Sequence, residues 1–193
     1  MINLYNNLLK EYGKQGWWPC TTKNKQLEMC LGAILTQNTS WNNVKKALSN
    51  LNRKDLINKD KLAKISVKKL AFLIKSSGYY KQKARKIKEF IKFLNSGKEI
   101  TRENLLDIWG IGPETADSIL LYAYNKPYFV IDAYTKRIFS RLGYCKEDIK
   151  YEELKNLITN KIPKDVDLYK EFHALLVKHG KNLSKDGQRV LNK

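Results

Sequence analysis

The segment Gly110-Ile111-Gly112-Pro113, set between two stretches of helical apolar spacing, constrains this chain more than any other. Leu105, Leu106, Ile108 and Trp109 precede it, and Ala116, Ile119, Leu120 and Ala123 follow it. Pro113 suits the first turn of a helix, where its missing amide hydrogen costs little. The two glycines permit backbone conformations closed to other residues and clear side chains from a close approach. Ile111 is expected to point inward and lock the turn, and Trp109 to join the core. A helix-hairpin-helix is therefore predicted. Its turn leaves free N–H groups at the start of the second helix, which with the helix dipole form an anion site suited to a DNA phosphate. A monovalent cation could assist that contact. The alternative is a tight turn that only joins two packed helices.

The rest of the chain also reads as helix, because strict apolar alternation never persists long enough for a strand. Leu4 to Tyr12 forms a first helix ending near Gly13, and Pro19 bends the Gly16-Trp17-Trp18 segment away from the helical region. Leu27, Leu31, Ile34 and Leu35 mark a core-facing stripe. The polar break Gln37-Asn38-Thr39-Ser40 then supplies a cap for a helix containing Trp41 and Val44. After a lysine-rich connection, Val67, Leu70 and Ile74 mark another helix. A basic amphipathic helix follows, with Ala84, Ile87, Phe90 and Ile91 on one face and its lysines, Lys83 among them, elsewhere. Asp132 opens a further helix that Gly143 ends. A last pattern runs from Phe172 to His179, with Gly180 closing the folded region and a polar tail from Lys185. His173 and His179 read as structural or solvent-facing. The expected architecture is all-α, with two helical lobes. One spans about 20–126 and includes the hairpin; the other joins 1–19 with 127–193.

Charge narrows the partners. The 193 residues carry 37 Lys+Arg against 19 Asp+Glu, a net +18 far beyond what solubility requires. Thirty-one of the basic residues are Lys and six are Arg, which suits phosphate contacts better than bidentate reading of guanine edges. The 17 Asn and many Ile suggest an AT-rich genome, which can raise lysine without function. An anionic membrane or an acidic protein surface could also attract this charge. No apolar run approaches the ~20 residues that span a bilayer, and no apolar secretory segment opens the chain, so a membrane protein is not expected. Cys20, Cys30 and Cys145 form no CxxC and cannot supply a four-cysteine cluster. With only two histidines, a His/Cys zinc site is poorly supported. A reducing cytoplasm and a monomer are expected.

Asp132 follows the apolar run Tyr128-Phe129-Val130-Ile131, twenty residues beyond Gly112. An N-cap explains it structurally. A carboxylate anchored in that way is also rigid and stays ionised, as stabilisation of a cation requires. Trp17, Trp18 and Trp41 could pack in the core or stack on an electron-poor purine.

At this point a resemblance enters. Gly110-Ile-Gly-Pro-Glu-Thr-Ala-Asp-Ser-Ile-Leu, followed by Val130-Ile-Asp-Ala-Tyr-Thr-Lys-Arg, resembles the helix-hairpin-helix and Gly/Pro-Asp signature of the endonuclease III (HhH-GPD) superfamily of DNA glycosylases. Leu31-Gly-Ala-Ile-Leu-Thr-Gln-Asn-Thr and Ser77-Gly-Tyr-Tyr-Lys-Gln-Lys-Ala fit its helical lobe. The Trp-Trp-Pro bend and the Gln-Asn-Thr-x-aromatic segment are similar to the MagIII-type 3-methyladenine DNA glycosylases. The resemblance extends from about Trp17 to Gly180.

It implies an endonuclease III-like fold and base excision repair on damaged double-stranded DNA. It places Asp132 at the essential carboxylate and Gly110 and Gly112 in the phosphate-binding hairpin. Gln37 falls where a side chain fills the duplex once a nucleotide is extruded. Trp17, Trp18 and Trp41 would wall the base pocket, and Lys181 would contact pocket or phosphate. Bifunctional members carry a lysine where Glu114 stands, and a carboxylate cannot form the Schiff base of a lyase. Members with an iron–sulfur cluster place its first cysteine at Ser184, so no cluster or other cofactor is expected. The position of a modified lysine in the MagIII type matches Leu175. The resemblance thus implies a monofunctional glycosylase acting on an alkylated purine. An oxidised-base or mismatch glycosylase, with or without lyase activity, is the alternative within the family, and a noncatalytic DNA-binding module is the alternative outside it.

Overall fold

The computed structural model describes residues 1–186, with side chains to Leu183. Among the described residues there is no strand. The chain divides into two compact units, Cys20–Tyr124, and Met1–Pro19 with the chain from Asn125 onward.

The unit Cys20–Tyr124 begins with α2 (Lys25–Thr36), the first helix α1 belonging to the other unit. Asn24 caps α2, its side chain accepting from the Leu27 N–H at 3.2 Å. The buried Glu28 carboxylate in its first turn accepts from the N–H and hydroxyl of both Thr21 and Thr22. One acidic side chain thereby fixes the chain's entry into the unit. Then come α3 (Trp41–Arg53), α4 (Lys59–Lys64), α5 (Val67–Leu73), a 3₁₀ turn at Lys75–Ser77 and α6 (Tyr80–Asn95). The helix α4 lies within the lysine-rich stretch where only a connection is expected. Its six residues are too few to show a periodic stripe.

On α6 the basic face has one exception. Lys83 is 2% exposed, and its ammonium donates to the Leu35 and Ser77 carbonyls at 2.9 and 2.6 Å. Burial, with Lys86 nearby, lowers its pKa to about 8. Helix α7 (Arg102–Leu106) leads to the hairpin and to α8 (Pro113–Ser118), which continues as a π-helical turn over Ile119–Ala123.

The other unit holds α1 (Ile2–Tyr12), α9 (Ala133–Arg141), α10 (Tyr151–Thr159) and α11 (Val166–Asp186). Phe129, Tyr169 and Phe172 form an edge-to-face cluster with centroids 5.3 and 5.6 Å apart. Gly180 does not close the fold. It lies inside α11, which runs on to Asp186, while positions 187–193 of the polar tail lie outside the described residues.

The glycine is needed because α9 passes close by. A Cβ at 180 would stand 2.5 Å from Cδ1 of Tyr134 and 2.8 Å from its Cβ and Cγ. Alanine would gain about 1 kcal/mol of helix propensity, against roughly 1–3 kcal/mol for overpacking. The Tyr134 Cβ cannot swing aside without moving α9, so the steric term should win. Gly180→Ala is expected to destabilise the protein by up to about 2 kcal/mol, read as a lower Tm by calorimetry. An unchanged or higher Tm would show that the two helices part easily.

Candidate active site

Asp132 is the N-cap of α9. Its Oδ1 accepts from the Thr135 N–H at 2.7 Å and the Thr135 hydroxyl at 2.8 Å. The second oxygen, Oδ2, lies 3.8 Å from Nε2 of His173 on α11. The carboxylate keeps 14% of its side chain exposed, so it is sheltered without being sealed. Burial pushes its pKa up, but His173 and the two Thr135 hydrogen bonds outweigh that and hold it below the ordinary Asp value. Because the folded-state pKa is the lower one, the carboxylate's contribution to stability is present at neutral pH. It is lost only as pH falls below the ordinary carboxylate range and through the folded value.

The same unit brings Trp17, Trp18 and Lys181 into contact. The two indoles are half-buried and meet edge-on with centroids 5.6 Å apart, across a cis peptide. The Lys181 ammonium sits 5.7 Å above the Trp17 ring. Burial lowers the Lys181 pKa, the Asp132 carboxylate partly restores it, and Lys178 acts against that. Asp132, His173, Lys181 and Trp17 are therefore linked electrostatically within one unit. Trp41, the first residue of α3, and the hairpin residues belong to the other.

In the hairpin, Gly110 adopts φ +83°, and a Cβ there would stand 2.6–2.8 Å from the methylenes of Lys86. Both conformation and space demand glycine at 110. Gly112 differs. Its backbone is ordinary extended chain, and an added Cβ would meet nothing within 4 Å. No internal contact explains the missing side chain at 112. Ile111 is buried as expected, whereas Trp109, expected in the core, is 57% exposed. Helix α7 ends at Leu106, so Trp109 lies in the turn that follows, where Ile108 and Ile111 are buried and position 109 faces outward.

Gln37 docks on this turn. Its Nε2 donates to the Gly110 carbonyl at 3.2 Å and the Thr115 hydroxyl at 2.8 Å, and its Oε1 accepts from the Lys86 ammonium. Sequence reasoning did not single out Lys86, Thr115 or His173 for these contacts. Each pairing joins residues 40 to 80 positions apart, which no local spacing reveals. An ion pair between Arg102 of α7 and the fully buried Asp117 of α8, Nε to Oδ1 at 2.7 Å, braces the helices on either side of the turn.

A groove of about 1290 Å³ elsewhere in Cys20–Tyr124, lined by Ile65, Val67, Phe72 and neighbouring lysines, contains none of these residues.

Residues 31–164 match the family described as HhH-GPD superfamily base excision DNA repair protein. The chain belongs to this superfamily of DNA glycosylases. The glycosylase is 46% identical to the putative DNA repair glycosylase MJ1434 of Methanocaldococcus jannaschii, over 94% of this chain and 87% of that one. It is 31% identical to endonuclease III of Sulfolobus acidocaldarius, covering 84% of this chain and 76% of the relative. Among solved structures it superimposes on H. pylori 3-methyladenine DNA glycosylase (MagIII) bound to 1,N6-ethenoadenine. That match has a TM-score of 0.78 and 32% identity, over 97% of both chains. A trapped endonuclease III–DNA covalent intermediate shares the fold at TM-score 0.83 and 20% identity, over 97% of this chain and 87% of that one.

The glycosylase does not offer the ligands of the iron–sulfur cluster that some relatives hold. Its three cysteines are free thiols, and Cys30 is sealed in the core with its pKa pushed up by burial. Four thiolates cannot be assembled from them. Among the described residues, no group of three or more His, Cys, Asp or Glu could hold a metal ion.

Proposed function

We propose that this DNA glycosylase is monofunctional and hydrolyses the N-glycosidic bond of an alkylated purine extruded from double-stranded DNA. The observation that carries the reading is Asp132, held ionised and partly exposed by a helix start. An alkylated purine such as 3-methyladenine already bears positive charge, so it departs as a neutral base with little acid assistance. The demand falls on the sugar, whose developing cation Asp132 stabilises while orienting water for attack on C1′. The water oxygen bonds to C1′, the C1′–N bond electrons leave with the base, and the water proton passes to the carboxylate or to solvent.

Other residues supply binding. The open space where a Cβ would stand at Gly112 is suited to a phosphate oxygen approaching the amides of the hairpin, with a monovalent cation as an aid. Trp17, Trp18 and Trp41 offer indole faces for an electron-poor base, and Gln37 would occupy the vacated place in the duplex. Glu114, at the position of the lyase lysine, supports hydrolysis without strand cleavage.

One observation favours a second reading. Burial lowers the pKa of Lys181, so a larger fraction of its amine is neutral and able to attack an abasic sugar. A panel of duplexes bearing one 1,N6-ethenoadenine, 3-methyladenine, 8-oxoguanine, or mismatched uracil or thymine separates the two. Release of an alkylated base, strand cleavage only after alkali and no adduct with borohydride are expected. A borohydride-trapped complex absent from Lys181→Gln would replace the hydrolytic assignment with the lyase one.

A further inference from the structure

The two oxygens of Asp132 are held from different helices. Oδ1 is committed to the first turn of α9 through Thr135. Oδ2 faces α11, where His173 Nε2 stands 3.8 Å away. His173 is buried, 7% exposed, on a helix whose adjoining residues Phe172 and Ala174 are also buried. A separation of 3.8 Å is too long for a direct hydrogen bond, and the contact is one between the ring's polar Nε2 edge and the carboxylate.

We propose that His173 is a positioning residue for base release, fixing the plane of the Asp132 carboxylate from α11 as Thr135 fixes it from α9. The inference rests on the role given above to Asp132. A carboxylate tethered at one oxygen alone could still swing about its last bond, and transition-state stabilisation falls steeply with misplacement. Protonation leads to the same residue. Burial acts to neutralise Asp132, and His173 is foremost among the groups opposing it, ahead of Thr135. Lys181 also reaches Asp132 from α11, with Lys178 beside it. Removal of the polar group at the Nε2 position takes away the largest of these opposing effects and leaves the Thr135 hydrogen bonds.

Two amide substitutions separate position from mere polarity. The side-chain amide of His173→Gln reaches about as far as Nε2, whereas that of His173→Asn stops near Nδ1. The Asp132 carboxyl is titrated by carbon NMR in the protein without DNA, and single-turnover base release is followed from pH 5 to 8. His173→Gln should behave as the parent. His173→Asn should show an Asp132 titration moved upward and a fall in base release toward pH 5 that His173→Gln does not show.

Identical behaviour of the two variants, both as the parent or both equally impaired, overturns the inference. The NMR titration needs no substrate. A parent enzyme that releases no base from any lesion would strike the proposed function and leave this test intact.

Discussion

Asp132→Asn should bind a lesion duplex within about threefold of the parent and slow single-turnover base release by about 10³-fold or more. The substitution suits the question because asparagine is as good an N-cap as aspartate. Its carbonyl can still accept from the Thr135 N–H and hydroxyl that Oδ1 engages, so α9 keeps its start. What disappears is a full negative charge in a sheltered setting, where losing even one neutral donor to a developing charge costs about 10²–10³ in rate. Near-parental release by this variant would remove Asp132 from the chemistry. A variant that bound no duplex would instead indicate that the carboxylate supports the fold.

The second large effect is one of stability. Asp117→Ala should destabilise the protein by about 3–5 kcal/mol, because it breaks the Arg102 ion pair at a fully buried position. Urea unfolding should show a lower midpoint, and duplex affinity should fall with it, since α7 and α8 frame the turn at Gly110–Gly112. Replacing both partners with apolar residues, as Arg102→Met with Asp117→Leu, should recover most of the loss. A single variant as stable as the parent would mean that the pair contributes no brace.

What was legible in the sequence was local. The turn at Gly110–Pro113 and the cap at Asp132 depend on residues within four positions of one another, and turn chemistry and capping are encoded at that range. The all-α reading follows from apolar spacing in the same way. Other features depended on distant partners. Glycine ordinarily stops a helix, but Gly180 lies inside α11 because Tyr134, forty-six residues earlier, lies against it. Lys83 looked like one more solvated lysine, and only the carbonyls of Leu35 and Ser77 make its burial tolerable. Trp109 shares the apolar spacing of Leu105 and Ile108 that suggests a core position, while the hairpin geometry turns it outward. His173 sits in an apolar run that gives no hint of the carboxylate opposite it.

The docking of Gln37 has an energetic consequence. Its carboxamide already has partners at both ends, so contact with a nucleic acid would be an exchange of bonds and not an addition. The net gain from such a swap is small, on the order of 1 kcal/mol per bond. If Gln37 enters the duplex as proposed, leaving these partners over intact DNA would gain little. A gap in the base stack could tip the exchange, which would favour insertion of this side chain where the helix is already compromised.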